Sequence, residues 1–139
     1  MNKTSMQASL SFVGEEFNTE YVTFILNQKP DRVRQKGEPI IIGRMTIIRS
    51  PEFDQTVWSI KIPEAESLDT DTHLEPIFDF IEKNLEKMQT LKTKFDAKWH
   101  VDVGIFIRDG HSPGIVLTSR QSSLLSAVEA DIGFDMYVY

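Results

Sequence analysis

The chain has 139 residues, 40% of them hydrophobic and 26% charged, and it contains no cysteine. That balance suits one folded domain and excludes a disulfide scaffold, a thiolate metal site and a cysteine nucleophile. The formal charge of -6 is uneven, +2 over 1–50, -5 over 51–100 and -3 over 101–139, so general attraction to nucleic-acid phosphate is not expected. Residues 1–10 hold one lysine and no apolar run of signal length. No later run approaches the roughly 18 apolar residues of a spanning helix. The expectation is a cytoplasmic protein that binds no membrane.

Residues Met6–Val13 put Ala8, Leu10 and Phe12 on one side and Ser9 and Ser11 on the other, the two-residue period of a half-buried strand. Asn18 can cap a short helix over Thr19–Leu26, with Phe17 and Val22 placed as a hydrophobic staple and Pro30 just beyond. Arg32, Arg34 and Lys36 alternate with Val33 and Gln35 before Gly37 and Pro39, which suits an exposed edge strand and a turn. Gly43–Arg49 and Thr56–Ile62 are two further strand candidates, able to pair as a hairpin across Ser50–Gln55. In the second, Trp58, Ile60 and Ile62 share a face.

Leu74, Ile77, Phe78, Ile81, Leu85 and Met88 fall at three- and four-residue spacings, so the pattern predicts a helix reaching Met88 and starting between 70 and 75. Thr72-x-x-Glu75 reads as a capping box for it, whereas Pro76 prefers the first turn. Val101, Val103, Ile105 and Ile107 make a strand, and the turn-rich Asp109–Gly114 predicts a hairpin to the run Ile115–Leu117. Thr118-x-x-Gln121 or Ser119 can cap a last helix bearing Leu124, Leu125 and Val128, closed by Gly133, with Phe134–Tyr139 as the final strand.

The series predicts an α+β domain with an antiparallel or mixed sheet and helices on one face. Its expected core is ferredoxin-like, βαββαβ from Thr56 onward, with an N-terminal strand-helix-strand extension. The expected interior includes Phe12, Trp58, Ile60, Ile77, Ile81, Leu85, Val103, Ile105 and Leu125.

Candidate chemistry is sparse. Gly110-His-Ser112-Pro-Gly114 has the letters of a nucleophile elbow, but it lies between two expected strands and Pro113 lacks a backbone N–H. It reads as a turn. His73, His100 and His111 are scattered, without the spacing that puts two imidazoles on one side of an element, so neither metal nor cofactor is expected. Glu15 and Glu16 precede a helix, where acids are favoured electrostatically. Arg32, Arg34 and Lys36 lack nearby aromatic residues for base stacking.

The candidate partner surface is Glu64, Glu66, Asp69, Asp71, Glu75, Asp79, Glu82 and Glu86. No Lys or Arg interrupts the stretch from Ile62 to Glu82. At 100° per residue the last four acids point nearly one way, a carboxylate ridge suited to a basic partner, though Lys83 pairs with Asp79 at helical spacing.

Leu10-Ser-Phe-Val-Gly14-Glu-Glu-Phe17 through Leu26, then Lys29-Pro30, Lys36-Gly37-Glu38, Trp58-Ser59-Ile60 and Gly133-Phe-Asp135-Met-Tyr137, resemble the bacterial domain-of-unknown-function family numbered 4279. The likeness spans nearly the whole chain. It implies a bacterial cytoplasmic protein and brings no catalytic residues with it. Some small orphan domains of this kind stand beside toxins as presumed immunity proteins. The functional expectation is accordingly a non-enzymatic binding protein, such as an immunity protein occluding a basic toxin domain. The alternatives are a small-molecule sensor or an enzyme whose residues converge only in three dimensions.

Overall fold

The computed structural model describes residues 3–38, 40–42, 45–47 and 55–139. The chain runs β1 (Ser5–Gly14), α1 (Thr19–Leu26), β2 (Arg32–Arg34), β3 (Ile40–Ile42), β4 (Met45–Ile47), β5 (Thr56–Glu66), α2 (Thr70–Lys83), α3 (Leu85–Lys94), β6 (Ala97–Ile107), α4 (Ser119–Ala127) and β7 (Asp131–Val138). Five strands form a mixed sheet in the order β2-β5-β1-β6-β7, antiparallel except that β6 and β7 run parallel. This is the expected α+β class. β3 and β4 pair with each other as a separate two-stranded sheet.

Alternation along β1 and β6 decides which face is buried. Met6, Leu10 and Phe12 on β1 and Trp99, Val101 and Ile105 on β6 are inaccessible, and Leu74, Ile77, Phe78 and Ile81 of α2 close over them with Met88 and Leu91 of α3. Phe12 stacks at 4.5 Å on Trp99, which stands edge-on to Trp58 at 6.3 Å. Both indoles find acceptors, Trp99 Nε1–H on the Met88 carbonyl at 3.2 Å and Trp58 Nε1–H on Thr23 Oγ1 at 3.0 Å, as buried aromatic N–H groups require. Gly14 ends β1 where a Cβ would lie 2.7 Å from both Ala97 Cβ and the Asp96 carbonyl. No larger residue fits there without movement.

The local signals acted largely as expected at two helices. Asn18 Oδ1 accepts from Tyr21 N–H at 3.1 Å, and α1 stops at Asn27 in the left-handed region, φ 48°. Thr118 and Gln121 complete the capping box of α4. Five expectations differ. The long helix divides at Asn84, whose ψ of 18° and side-chain bond to the Phe80 carbonyl at 2.9 Å separate α2 from α3. α2 starts at Thr70, within the expected 70–75, but its N-cap is Asp69 rather than Thr72, and Pro76 sits inside it.

The hairpin expected between Gly43–Arg49 and Thr56–Ile62 does not form, because β4 takes β3 as partner while β5 lies between β1 and β2. Most of its connection, Ser50–Asp54, lies outside the described residues, as does Pro39 of the expected turn. Ile115–Leu117 is not a strand either. This segment straps the start of α2: Gly114 N–H reaches the Leu68 carbonyl at 2.7 Å, and Val116 N–H reaches Thr70 Oγ1 at 2.8 Å. An isolated bridge, Asp69–Gly114, joins the strap to the start of α2 instead, so the series after Thr56 runs β5-α2-α3-β6-α4-β7. Finally, α4 is closed by Glu129 at φ 54°, and Gly133 lies within β7. Seven of the nine expected interior residues are buried. Ile60 and Leu85 are half-buried against the same core.

Candidate functional site

The expected acidic ridge is divided among several environments. Arg120 of α4 donates to Asp79 Oδ1 at 3.0 Å and to Glu82 Oε2 at 3.2 Å, and these two carboxylates, Glu82 foremost, raise its pKa further. Glu64 lies on β5, where it accepts from Ser5 Oγ at 2.6 Å and from Arg108 at 2.9 Å. Those two bonds, the Ser5 hydroxyl first, hold its carboxyl below the usual range. Glu86 belongs to α3, past the break at Asn84. Glu66, Asp69 and Glu75 are exposed and Asp71 is half-buried. Three of the eight acids therefore meet a cation of their own chain, which weakens the ridge as a field for a partner.

The other sequence candidates also resolve locally. Glu15 pairs with Lys36 at 2.7 Å, and the ammonium lowers its pKa. Ser112 lies on the strap between β6 and α4, not on a strand-to-helix elbow. His73 is 9% exposed on α2; its Nε2 has no hydrogen-bond partner and burial lowers its pKa. His111 lies 3.4 Å from Asp109. The Asp109 carboxyl is pulled down to about 2, chiefly by the Thr4 hydroxyl 2.8 Å away and then by the His111 N–H. Among the described residues, no three His, Asp or Glu side chains converge where a metal could be held.

A different surface gathers charged and aromatic side chains, namely the face of the sheet opposite the helices. Register fixes its rows. Lys61, Ser9, Asp102 and Gly133 stand side by side on β5, β1, β6 and β7, with Arg32, Ser59, Ser11, His100 and Asp131 in the row beside them. A third row carries Gln7, Gly104 and Asp135, and a fourth Ser5, Phe106 and Tyr137. Arg32 and Lys61 thus lie on the β2–β5 side, with Asp31 beside them, and Asp102 and Asp135 on the β6–β7 side, with small residues between. The result is a concavity of about 530 Å³, lined among others by Arg32, Lys61, Asp102, Asp135, Phe106 and Tyr137.

One end of this concavity is aromatic. Phe106 and Tyr137 stack at 5.3 Å with 12° between their planes, and the Arg108 guanidinium lies 5.2 Å from Phe106 and 5.1 Å from Tyr139. On each side of the β6–β7 pair an aspartate faces a glycine, Asp102 opposite Gly133 and Asp135 opposite Gly104. Neither carboxylate is therefore crowded by its cross-strand neighbour. By alternation alone these positions fall on the solvated side of each strand. The available signal was that the polar sides of several strands carry charge of opposite sign, but only the strand order brings them together.

An α+β domain with one sheet face covered by helices and the other open among the described residues is the class these features define. The chain belongs to the family described as Domain of unknown function (DUF4279), whose model it matches over residues 2–139. No curated protein and no solved structure matches it. No described helix is long and apolar enough to cross a membrane.

Proposed function

We propose that this is a non-enzymatic binding domain that receives a protein partner on the open face of its sheet. The observation that carries the reading is the concavity over β5, β1 and β6, with Arg32 and Lys61 beside Asp31 along one flank and Asp102 and Asp135 along the other. Small-molecule pockets bury most of their ligand. This site has a broad sheet floor, so the shape suits a protruding element of a larger partner better than an enclosed metabolite. Opposed charges at fixed register supply orientation and specificity, and the stacked Phe106–Tyr137 pair supplies an aromatic anchor.

An immunity protein that occludes a toxin domain is one instance of this reading. The net charge of -6 supports a basic partner, drawn in by long-range steering and then held on the open face. The bacterial cytoplasm is the compartment we assign it, in keeping with a chain that has no cysteine.

The test is co-purification followed by charge exchange. Lys61→Glu with Asp102→Lys is compared with the helix-surface variant Glu75→Gln, Asp79→Asn, Glu82→Gln, after circular dichroism shows both folded. Loss of a co-purified partner with the first and retention with the second is the expected result. The opposite pattern returns recognition to the α2 acids. A bound metabolite released on denaturation, with no protein partner retained, replaces the reading with a sensing domain.

A further inference from the structure

The two edges of the sheet are built differently. β2 is three residues long and bears Arg32 and Arg34, the short, charged construction that discourages strand addition. β7 is eight residues long, from Asp131 to Val138, and bears no Lys, Arg or Pro. Among the described residues it pairs with β6 alone. Tyr139 N–H continues that ladder to the Ile107 carbonyl at 2.9 Å. Because successive residues of a strand present their backbone groups to opposite edges, the N–H and C=O groups of Ile132, Phe134, Met136 and Val138 point away from the sheet.

The side chains along this edge are also sorted. On the helix side Ile132 and Phe134 are half-buried, but Met136 and Val138 are 51% and 76% exposed. On the open side stand Asp131 and Asp135, and between them Gly133 leaves a gap into which Asp102 of β6 leans. Asp102 Oδ1 lies 3.7 Å from where a Gly133 Cβ would stand. Three successive open-face rows therefore present a carboxylate at the edge, about 7 Å apart by the two-residue strand repeat.

We propose that β7 is a docking edge for an extended strand in which basic residues alternate with apolar ones, an inference that rests on the protein-binding reading above. The added strand would pair its backbone with the four outward N–H and C=O groups. It would set Lys or Arg at positions i, i+2 and i+4 beside Asp131, Asp102 and Asp135, and apolar residues beside Met136 and Val138. Backbone pairing supplies the affinity of such strand addition and alternate side chains its specificity.

The probe is a blocked heptapeptide alternating lysine and valine. Its controls are a glutamate–valine alternation and a peptide of four lysines followed by three valines. At about 0.15 M salt, where exposed charges more than about 8 Å apart are largely screened, the alternating basic peptide is expected to bind at least tenfold tighter than either control. It should also slow amide exchange at Ile132, Phe134, Met136 and Val138. Asp131→Asn with Asp135→Asn should cost tenfold or more in affinity. Met136→Pro, which removes one outward N–H from an edge position where proline is tolerated, should weaken binding comparably. If Met136→Pro does not fold, the aspartate pair and the exchange pattern decide.

Equal binding of the block peptide, or unchanged exchange at those four amides under saturating peptide, overturns the proposal. So does a concentration-dependent dimer that protects the same amides without peptide, since the edge then belongs to a second copy. A co-purified partner that protects β1 and β5 but not these amides would end strand addition while leaving the protein-binding reading intact. Absence of any protein partner would end that reading whatever the peptide does.

Discussion

The two faces of the five-stranded sheet are made by alternate residues of the same strands, yet they obey different rules. On the helix side Met6, Leu10, Phe12, Trp58, Trp99 and Val101 are inaccessible and interlock with α2 and α3. On the other side Gln7, Lys61, Asp102 and Asp135 are exposed, and no described helix lies over them. A residue of the first face is held by many neighbours at once, so its identity is fixed by volume and shape. Ser5, Ser11 and Ser59 of the second are buried too, but its exposed residues are held by less packing, which frees their identity to answer to something outside the chain. Stability should therefore be concentrated on one face and recognition on the other.

The largest expected effect tests the first half of that contrast. Trp99→Ala should destabilise the protein by about 3–5 kcal/mol in urea unfolding, because it empties the centre of the aromatic cluster. Trp99→Phe leaves the Met88 carbonyl its helical partner but loses the indole N–H bond to it, now 3.2 Å, and leaves a void beside the smaller ring, for a cost of about 1–3 kcal/mol. If both substitutions cost less than about 1 kcal/mol, the buried face does not carry the stability.

A middle-sized effect comes from the one buried imidazole on that side. His73 has its pKa lowered by burial from the ordinary 6.5, so the unfolded chain takes up a proton more readily than the folded one. Its contribution is whole above pH 6.5 and is lost as pH falls through the depressed folded value. Wild type should lose more stability between pH 8 and pH 5.5 than His73→Leu does. Parallel curves for the two proteins would show that the imidazole charges without cost where it sits. Asp109, at about 2 against an ordinary 3.8, acts in a separate window. Its contribution is present above about pH 4 and fades as pH falls through about 2, so Asp109→Asn should flatten only the acid end.

How much of this was legible in sequence follows from how far each cause reaches along the chain. Asn18 and the Thr118–Gln121 box cap helices within three residues of themselves, and the two-residue alternation of Val101–Ile107 needs nothing outside the strand. Both kinds of feature were readable. The break at Asn84 was not, because the apolar spacing from Leu74 to Met88 runs on through it and only a ψ of 18° interrupts the helix.

Pairing was hidden for a related reason. Ile115–Leu117 has strand-like residues, but Thr70, more than 40 positions away, takes the Val116 N–H. The candidate site failed in the same way. Lys61 and Asp102 are 41 positions apart and meet the same β1 residue, Ser9, from opposite sides. Periodicity says which side of a strand a residue takes and is silent on which strand lies next to it. The acids of 64–86 were visible because they are contiguous in sequence, whereas Arg108 and Arg120, which neutralise three of them, arrive from elsewhere.

The smallest expected effect is the most direct test of the open face. Lys61 and Asp102 flank Ser9, so two strand spacings of nearly 5 Å separate their backbones, about 10 Å in all. At that distance in water two unit charges attract by about 0.4 kcal/mol before salt, and a screening length of about 8 Å at physiological ionic strength reduces this further. Lys61→Ala and Asp102→Ala should each change stability by less than about 0.5 kcal/mol, and the double variant by the sum of the two. A coupling above about 1 kcal/mol in the free protein would mean that the two side chains already meet across Ser9. The concavity would then be closed by its own charges, and no partner could be received between them.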